Sequence, residues 1–120
     1  AGVPHGIGIV QIDVQHPIAR QARDSGSWAT NPDPLIAFGA QMLASNIHQA
    51  MSVFPALTPD EHLKIAASGY NCGMGNAIAG QHNGDSDQRT AHGTYGADVM
   101  ARMAIFRQLI ATPPAVPATE

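Results

Sequence analysis

The sequence predicts a mainly α-helical fold with one very short extended segment near its N-terminus. Apolar residues recur at spacings of three and four over residues 35–54 and again over 95–110, which marks two amphipathic helices. Thr58-Pro-Asp-Glu61 has the form of a capping box and opens a further helix. Residues 6–14 are instead rich in β-branched side chains, a composition that suits a short strand. With 120 residues the chain is long enough for one compact domain that buries roughly two-thirds of its unfolded surface. The expected organisation is one domain over residues 1–111 followed by a Pro/Ala-rich tail over 112–120.

Charge and composition narrow the function classes. Charged residues make up 12% of the chain, the formal net charge is -3 and no run of lysines or arginines occurs, so a nucleic-acid partner is not expected. No apolar run approaches the ~18 residues of a membrane-spanning helix, and no basic-then-apolar leader opens the sequence. Cys72 is the one cysteine, which excludes an intrachain disulfide and leaves the redox compartment open. The histidines at 5, 16, 48, 62, 82 and 92 form no His-x-x-x-His pair, so no metal site or cofactor is expected.

Ala1–His5 reads as a loop-like entry. In G-I-G-I-V-Q-I-D-V (6–14), read as one strand, Gln11 and Asp13 project from the same side, and Ile12 and Val14 from the other. That polar face is either a ligand contact or simply solvated. Residues 15–33 are dense in turn formers and predict an irregular connection. Trp28 within them pins that connection to the body or stacks on a sugar ring. Asp33-Pro34 starts a helix by a capping carboxylate and a proline at the first helical position. Leu35, Phe38, Met42, Leu43, Ile47, Ala50, Met51 and Phe54 form its apolar face, and the helix ends before Pro55. His48 on this helix is isolated and reads as a surface residue.

The capping box gives Glu61 a structural role. Its helix runs into I-A-A-S-G-Y-N-C-G-M-G-N-A-I-A (65–79), where one helix breaks at the glycines and another starts at once, holding Tyr70 and Asn71 at a rigid corner. Alternatively Gly73 is only a helix terminator and Tyr70 only a core aromatic. The stretch Gln81–Gln88 reads as a solvated polar loop, because Asp85 and Asp87 lack the glutamate that a calcium loop requires. The last helix spans Thr94–Ile110, with Tyr95, Val99, Met103, Phe106 and Ile110 on one stripe. The tail A-T-P-P-A-V-P-A-T-E reads as a semi-stiff spacer of the kind that leads to a further segment.

Three of these stretches, G-I-G-I-V-Q-I-D, G-Y-N-C-G-M-G-N and R-T-A-H-G-T-Y-G-A-D-V-M-A-R, resemble in order and spacing the motifs of goose-type lysozymes and soluble lytic transglycosylases. Gly69 and Cys72 stand where that family usually has alanine. The resemblance implies a lysozyme-like α+β fold and a cleft for a peptidoglycan glycan strand, cleaved between N-acetylmuramic acid and N-acetylglucosamine. It also implies a protonated glutamate as general acid, on a helix that would precede Ala1. The chain holds only Glu61 and Glu120, and neither matches, so the acid is expected from an upstream segment or another chain. By the same resemblance Asp13 is the second carboxylate that positions or activates water. Tyr70 is placed near the absent acid and the charge developing on the sugar. Gln11, Asn71, His92 and Tyr95 line the cleft, with Tyr95 also readable as a plain core aromatic. A phage lysin and an exported bacterial wall enzyme fit equally well.

Two other readings compete. One is a carbohydrate-binding or structural module that has kept the cleft and lost the acid. The other is a thiol hydrolase pairing Cys72 with His92, which the resemblance disfavours because Cys72 occupies a small packing position.

Overall fold

The computed structural model describes residues 6–7 and 10–112. The entry Ala1–His5, residues 8 and 9 of the expected strand, the tail beyond 112 and Glu120 lie outside the described residues. Two short strands, β1 (Gly6–Ile7) and β2 (Ile12–Asp13), precede six helices: α1 (Pro17–Ser25), α2 (Ser27–Thr30), α3 (Asp33–Val53), α4 (Pro59–Cys72), α5 (Met74–His82) and α6 (Tyr95–Ala111). The fold is mainly α, as expected. Backbone packing divides it into two compact units, residues 1–45 and 46–120, each of which is described by itself.

In the first unit the expected single strand is a hairpin. Gly6 pairs with Asp13 and Ile7 with Ile12, antiparallel, and the chain reverses through a turn in which Gln11 has φ 53°. Gln11 and Asp13 therefore do not share the face of one strand: Gln11 occupies the reversal and Asp13 the returning strand. Ile12 is buried, so the apolar side of β2 has the orientation expected. The connection over 15–33 is also largely helical. Pro17 occupies the first turn of α1, Gly26 ends it in the left-handed region, and α2 follows immediately. Proline at a helix start and glycine at its end are the same residues that punctuate turns, and here they serve as caps. Ala19 and Ala22 are the buried face of α1. The Arg20 guanidinium ties that helix to the strand end by donating to the carbonyls of Val14 and Gln15, each at 2.9 Å. Trp28 is 48% exposed, so it does not anchor the segment as a buried residue would.

Helix α3 begins at Asp33, one residue earlier than its caps suggest, and ends before Pro55. Leu35 and Ala50 on it are buried, whereas Met51 is exposed. His48 is exposed. In the second unit Ala50, Ile65 and Ala77 form the core, and Phe54, Leu57, Cys72 and Met74 pack around it. Full burial of one side chain the size of Ile65 contributes about 1.5–3 kcal/mol. The Thr58 half of the capping box is present, since Thr58 Oγ1 accepts from the Glu61 N–H at 3.1 Å, while the Glu61 carboxylate reaches back to the Thr58 hydroxyl, which donates to Oε1 at 3.0 Å. Buried His62 holds the end of α3, with Nε2 at 2.6 Å from the Phe54 carbonyl. A carbonyl can only accept, so Nε2 is the donor in this bond. Asn46 Nδ2 adds a bond to the Ala66 carbonyl at 3.2 Å.

One expectation fails here, and one is qualified. Residues 81–88 are not a uniformly solvated loop, because Ser86 and Asp87 are buried. The stripe on α6 is covered only at its start: Tyr95, Val99 and Met103 are half-buried, while Phe106 and Ile110 are exposed, as are Ile105 and Leu109. No helix among the described residues is long and apolar enough to cross a membrane.

Candidate functional site

The expected break between two helices is present at the corner in the second unit. Helix α4 ends at Cys72, Gly73 lies between, and α5 begins at Met74. Gly73 donates its N–H to the Gly69 carbonyl at 2.8 Å and its own carbonyl accepts from Ala77 N at 3.1 Å, so a single residue closes one helix and opens the next. Its φ of 84° with ψ of 146° is a conformation that a β-carbon strains. Gly73→Ala is expected to lower stability by about 2 kcal/mol, measured by urea denaturation. Tyr70 and Asn71, in the last turn of α4, inherit their positions from this pivot.

Asn71 is a clamp. Its Oδ1 accepts from the backbone N–H of Ala91 at 2.8 Å and so ties the end of α4 to a single 3-10 turn, Ala91–Gly93. Within that turn His92 is exposed and has φ 60°, a left-handed conformation that costs a non-glycine residue on the order of 1 kcal/mol. A second tie runs alongside: Asn76 Nδ2 donates to the Cys72 carbonyl and Arg89 Nη1 to Asn76 Oδ1, both at 2.8 Å. Tyr95 opens α6. Burial of Tyr70 raises its phenol above the usual range, and neighbouring Tyr95 raises it further, so Tyr70 is a neutral donor at physiological pH. The second unit thus brings Tyr70, Asn71, His92 and Tyr95 to one corner, with Asn71 engaged on backbone.

Behind this corner lies a cluster that the sequence reading missed. The Asp87 carboxylate accepts from Ser68 Oγ at 2.9 Å, from Gly96 N at 2.7 Å and from Ala97 N at 3.0 Å. Thr90 Oγ1 donates to the Asp87 carbonyl at 2.9 Å, and Ser86 Oγ lies 2.8 Å from Ser68 Oγ. Burial alone would raise the Asp87 carboxyl. The N–H groups of Ala97 and Gly96, the Ser68 hydroxyl and the charge of Lys64 outweigh it and hold the group below the usual carboxylate range. A carboxylate at the start of α6 also meets the positive end of that helix. The signal available in the sequence was the Asp-x-x-Thr spacing of residues 87 and 90, a local turn pattern.

In the first unit, Asp13 Oδ1 accepts from the Gln15 N–H at 2.8 Å and the Asp13 carbonyl from His16 N at 3.0 Å. The carboxylate is therefore partly engaged in turning the chain into α1. Gln11 is exposed at the hairpin reversal. Neither belongs to the unit that holds Tyr70.

Cys72 packs against the core. Burial raises its thiol, the Asp87 charge adds to that, and its own backbone contact and Arg89 oppose it, leaving the group above its ordinary value. A nucleophilic cysteine needs the reverse shift. Cys72 is expected to alkylate with iodoacetamide at neutral pH more slowly than a free thiol, and fast alkylation would revive the thiol reading. Among the described residues no group of three His, Cys, Asp or Glu side chains is placed to hold a metal ion.

The sequence model of the family described as Lysozyme g matches residues 2–109. Among curated proteins, the chain is 32% identical over 104 residues to lysozyme g of Gallus gallus, covering 87% of this chain and 44% of that one. It is 31% identical over 104 residues to those of Dromaius novaehollandiae and Casuarius casuarius, covering 87% of this chain and 46% and 51% of theirs. The chain thus spans about half the length of these curated relatives. No solved structure matches it. The family match over nearly all of its residues, with curated relatives at 31–32% identity, shows that the chain belongs to the lysozyme g family.

Proposed function

We propose that this chain forms walls of the saccharide cleft of a peptidoglycan glycosidase, a muramidase or lytic transglycosylase acting between N-acetylmuramic acid and N-acetylglucosamine. The observation that carries the reading is the clamped corner: Asn71 fixes the turn bearing His92, and the half-buried phenol of Tyr70, with Tyr95 as its neighbour, belongs to the same corner. Neutral donors with aromatic faces suit an uncharged sugar ring. Tyr70 places its hydroxyl oxygen, the negative end of the O–H dipole, near the positive charge developing at the scissile sugar, and His92 and Tyr95 hydrogen-bond the glycan. Gln11 and Asp13 are assigned from the resemblance, Gln11 to the glycan and Asp13 to the attacking water. Asn71 acts by holding the turn.

The general acid comes from outside this chain. Glu61 is committed to the cap of α4 through Thr58, and the carboxylic acid that protonates a leaving glycosidic oxygen must instead face the bond. The partner required is an upstream segment or second chain bearing that glutamate. The commitment of Glu61 also supports a second reading, a binding module without catalysis. Purified peptidoglycan separates them. The chain alone is expected to sediment with the polymer without clearing it, and clearing is expected only when a glutamate-bearing segment of a lysozyme g is supplied. Clearing by the chain alone would overturn the placement of the acid, failure to bind would overturn the saccharide reading, and binding with no clearing in either case would favour the module. Mass spectrometry of the products distinguishes water as the attacking group from the muramyl hydroxyl.

A further inference from the structure

We infer that Asp87 is a positioning residue for the saccharide site: its buried carboxylate locks the helix carrying Tyr70 to the first turn of the helix carrying Tyr95. The inference rests on the functional reading above for its consequence, and on geometry alone for the lock. Ser68, two residues before Tyr70 on α4, places its hydroxyl 2.9 Å from Asp87 Oδ1, with the Lys64 carbonyl at 3.0 Å as the other acceptor within reach of its one proton. The same oxygen accepts from Gly96 N, directly after Tyr95, at 2.7 Å, and Oδ2 accepts from Ala97 N at 3.0 Å. The Tyr95 N–H itself points to Thr90 Oγ1 at 3.4 Å, and that hydroxyl donates to the Asp87 carbonyl. One residue that is 1% exposed thereby joins both tyrosine-bearing backbones through short, charge-assisted bonds.

The other charged tie between α4 and α6 among the described residues, Arg107 Nη2 to Asp60 Oδ1 at 3.5 Å, is exposed and joins the opposite ends of those helices. Gly96 shows how close that packing is, since a β-carbon there would lie 2.5 Å from Ser68 Oγ and 2.9 Å from the Lys64 carbonyl. An amide in place of the carboxylate turns one acceptor into a donor facing a backbone N–H. The α6 start must then move away from α4, and Tyr95 with it.

The chain has two tyrosines, so ring-carbon NMR of tyrosine-labelled protein follows both, with Tyr95→Phe used for assignment. In the parent, burial and then the neighbouring Tyr95 hold Tyr70 above the ordinary phenol value of about 10. In Asp87→Asn its midpoint is expected to fall towards about 10 while circular dichroism still reports a folded chain, and retention on peptidoglycan is expected to weaken about tenfold. Ile65→Val, a core truncation in the same unit, is the control: it lowers stability and leaves the Tyr70 midpoint in place. A role for Asp87 confined to stability predicts the behaviour of that control, so an unmoved Tyr70 in folded Asp87→Asn overturns the inference. If Asp87→Asn does not fold, Ser68→Ala decides in the same way, because it removes the link to α4 and keeps the carboxylate on α6. A moved Tyr70 with unchanged retention supports the lock and counts against the tyrosines as a saccharide-binding wall.

Discussion

Asp87→Ala is expected to destabilise the chain by about 3 kcal/mol at neutral pH and to remove part of its sensitivity to acid. The magnitude follows from what truncation leaves behind. The buried Gly96 N–H loses its acceptor outright, whereas the part-buried Ala97 N–H can turn to water and the Ser68 hydroxyl to the Lys64 carbonyl at 3.0 Å; a buried donor left unsatisfied costs about 1–3 kcal/mol. The Gly96 bond is to an ionised group, which puts its loss at the stronger end of that range and gives about 3 kcal/mol in all. The pH dependence follows from the direction of the shift. The folded carboxyl lies below its ordinary value, so the unfolded chain takes up a proton first as the pH falls. The stabilisation is fully present above about pH 4, near the unfolded aspartate value, and is lost as the pH drops through the lower folded value. Urea denaturation at neutral pH and at successive steps below pH 4 measures both effects. The parent should lose stability over that acid range and Asp87→Ala should lose less. Equal losses in the two proteins would mean that the carboxylate is not the group whose protonation matters.

That the residue with the largest expected effect was read as solvated shows which parts of this fold are written locally. The capping box at Thr58 and Glu61, the break at Gly73 and the stop before Pro55 each depend on residues within four positions of one another, and each was legible. Asp87 depends on donors 19, 9 and 10 residues away, and nothing in a polar Asp-Ser-Asp stretch distinguishes a carboxylate facing water from one facing a helix start. The hairpin failed for a related reason. Gln11 adopts φ 53° because Ile12 and Asp13 return to pair with Ile7 and Gly6, and no glycine stands at that position to announce the reversal. In the stretch 15–33 the ambiguity was chemical, since Pro17 and Gly26 punctuate helices as readily as turns. The stripe on α6 was read correctly as a pattern, but periodicity identifies a face without identifying what lies against it, and Phe106 and Ile110 remain exposed. For the candidate site, Tyr70 and Asn71 were legible because the corner is local. The clamp from Asn71 to Ala91 was not, since it joins residues 20 positions apart.

Gly96→Ala tests the same contact from the other helix, and is expected to lower stability by about 2 kcal/mol, within the usual range for overpacking. The added carbon would stand 2.5 Å from Ser68 Oγ, 2.9 Å from the Lys64 carbonyl and 3.0 Å from Asp87 Oδ1. The first of these is a short side chain, which can be removed. The second is backbone within α4, and the third is a carboxylate held from three sides. Combining Gly96→Ala with Ser68→Ala relieves only the first clash, so the double variant should recover less than about 1 kcal/mol of the loss. For a unit of this size about 1 kcal/mol moves the melting temperature by roughly 4–8 °C, which a thermal scan by circular dichroism resolves. A Gly96→Ala protein that melts with the parent would mean that α6 can slide on α4 without cost. Tyr95 would then owe its position beside Tyr70 to something other than the close approach of the two helices. A Gly96→Ala protein that melts early, only slightly rescued by Ser68→Ala, identifies backbone against backbone as the fixed distance, with the glycine as the residue that permits it.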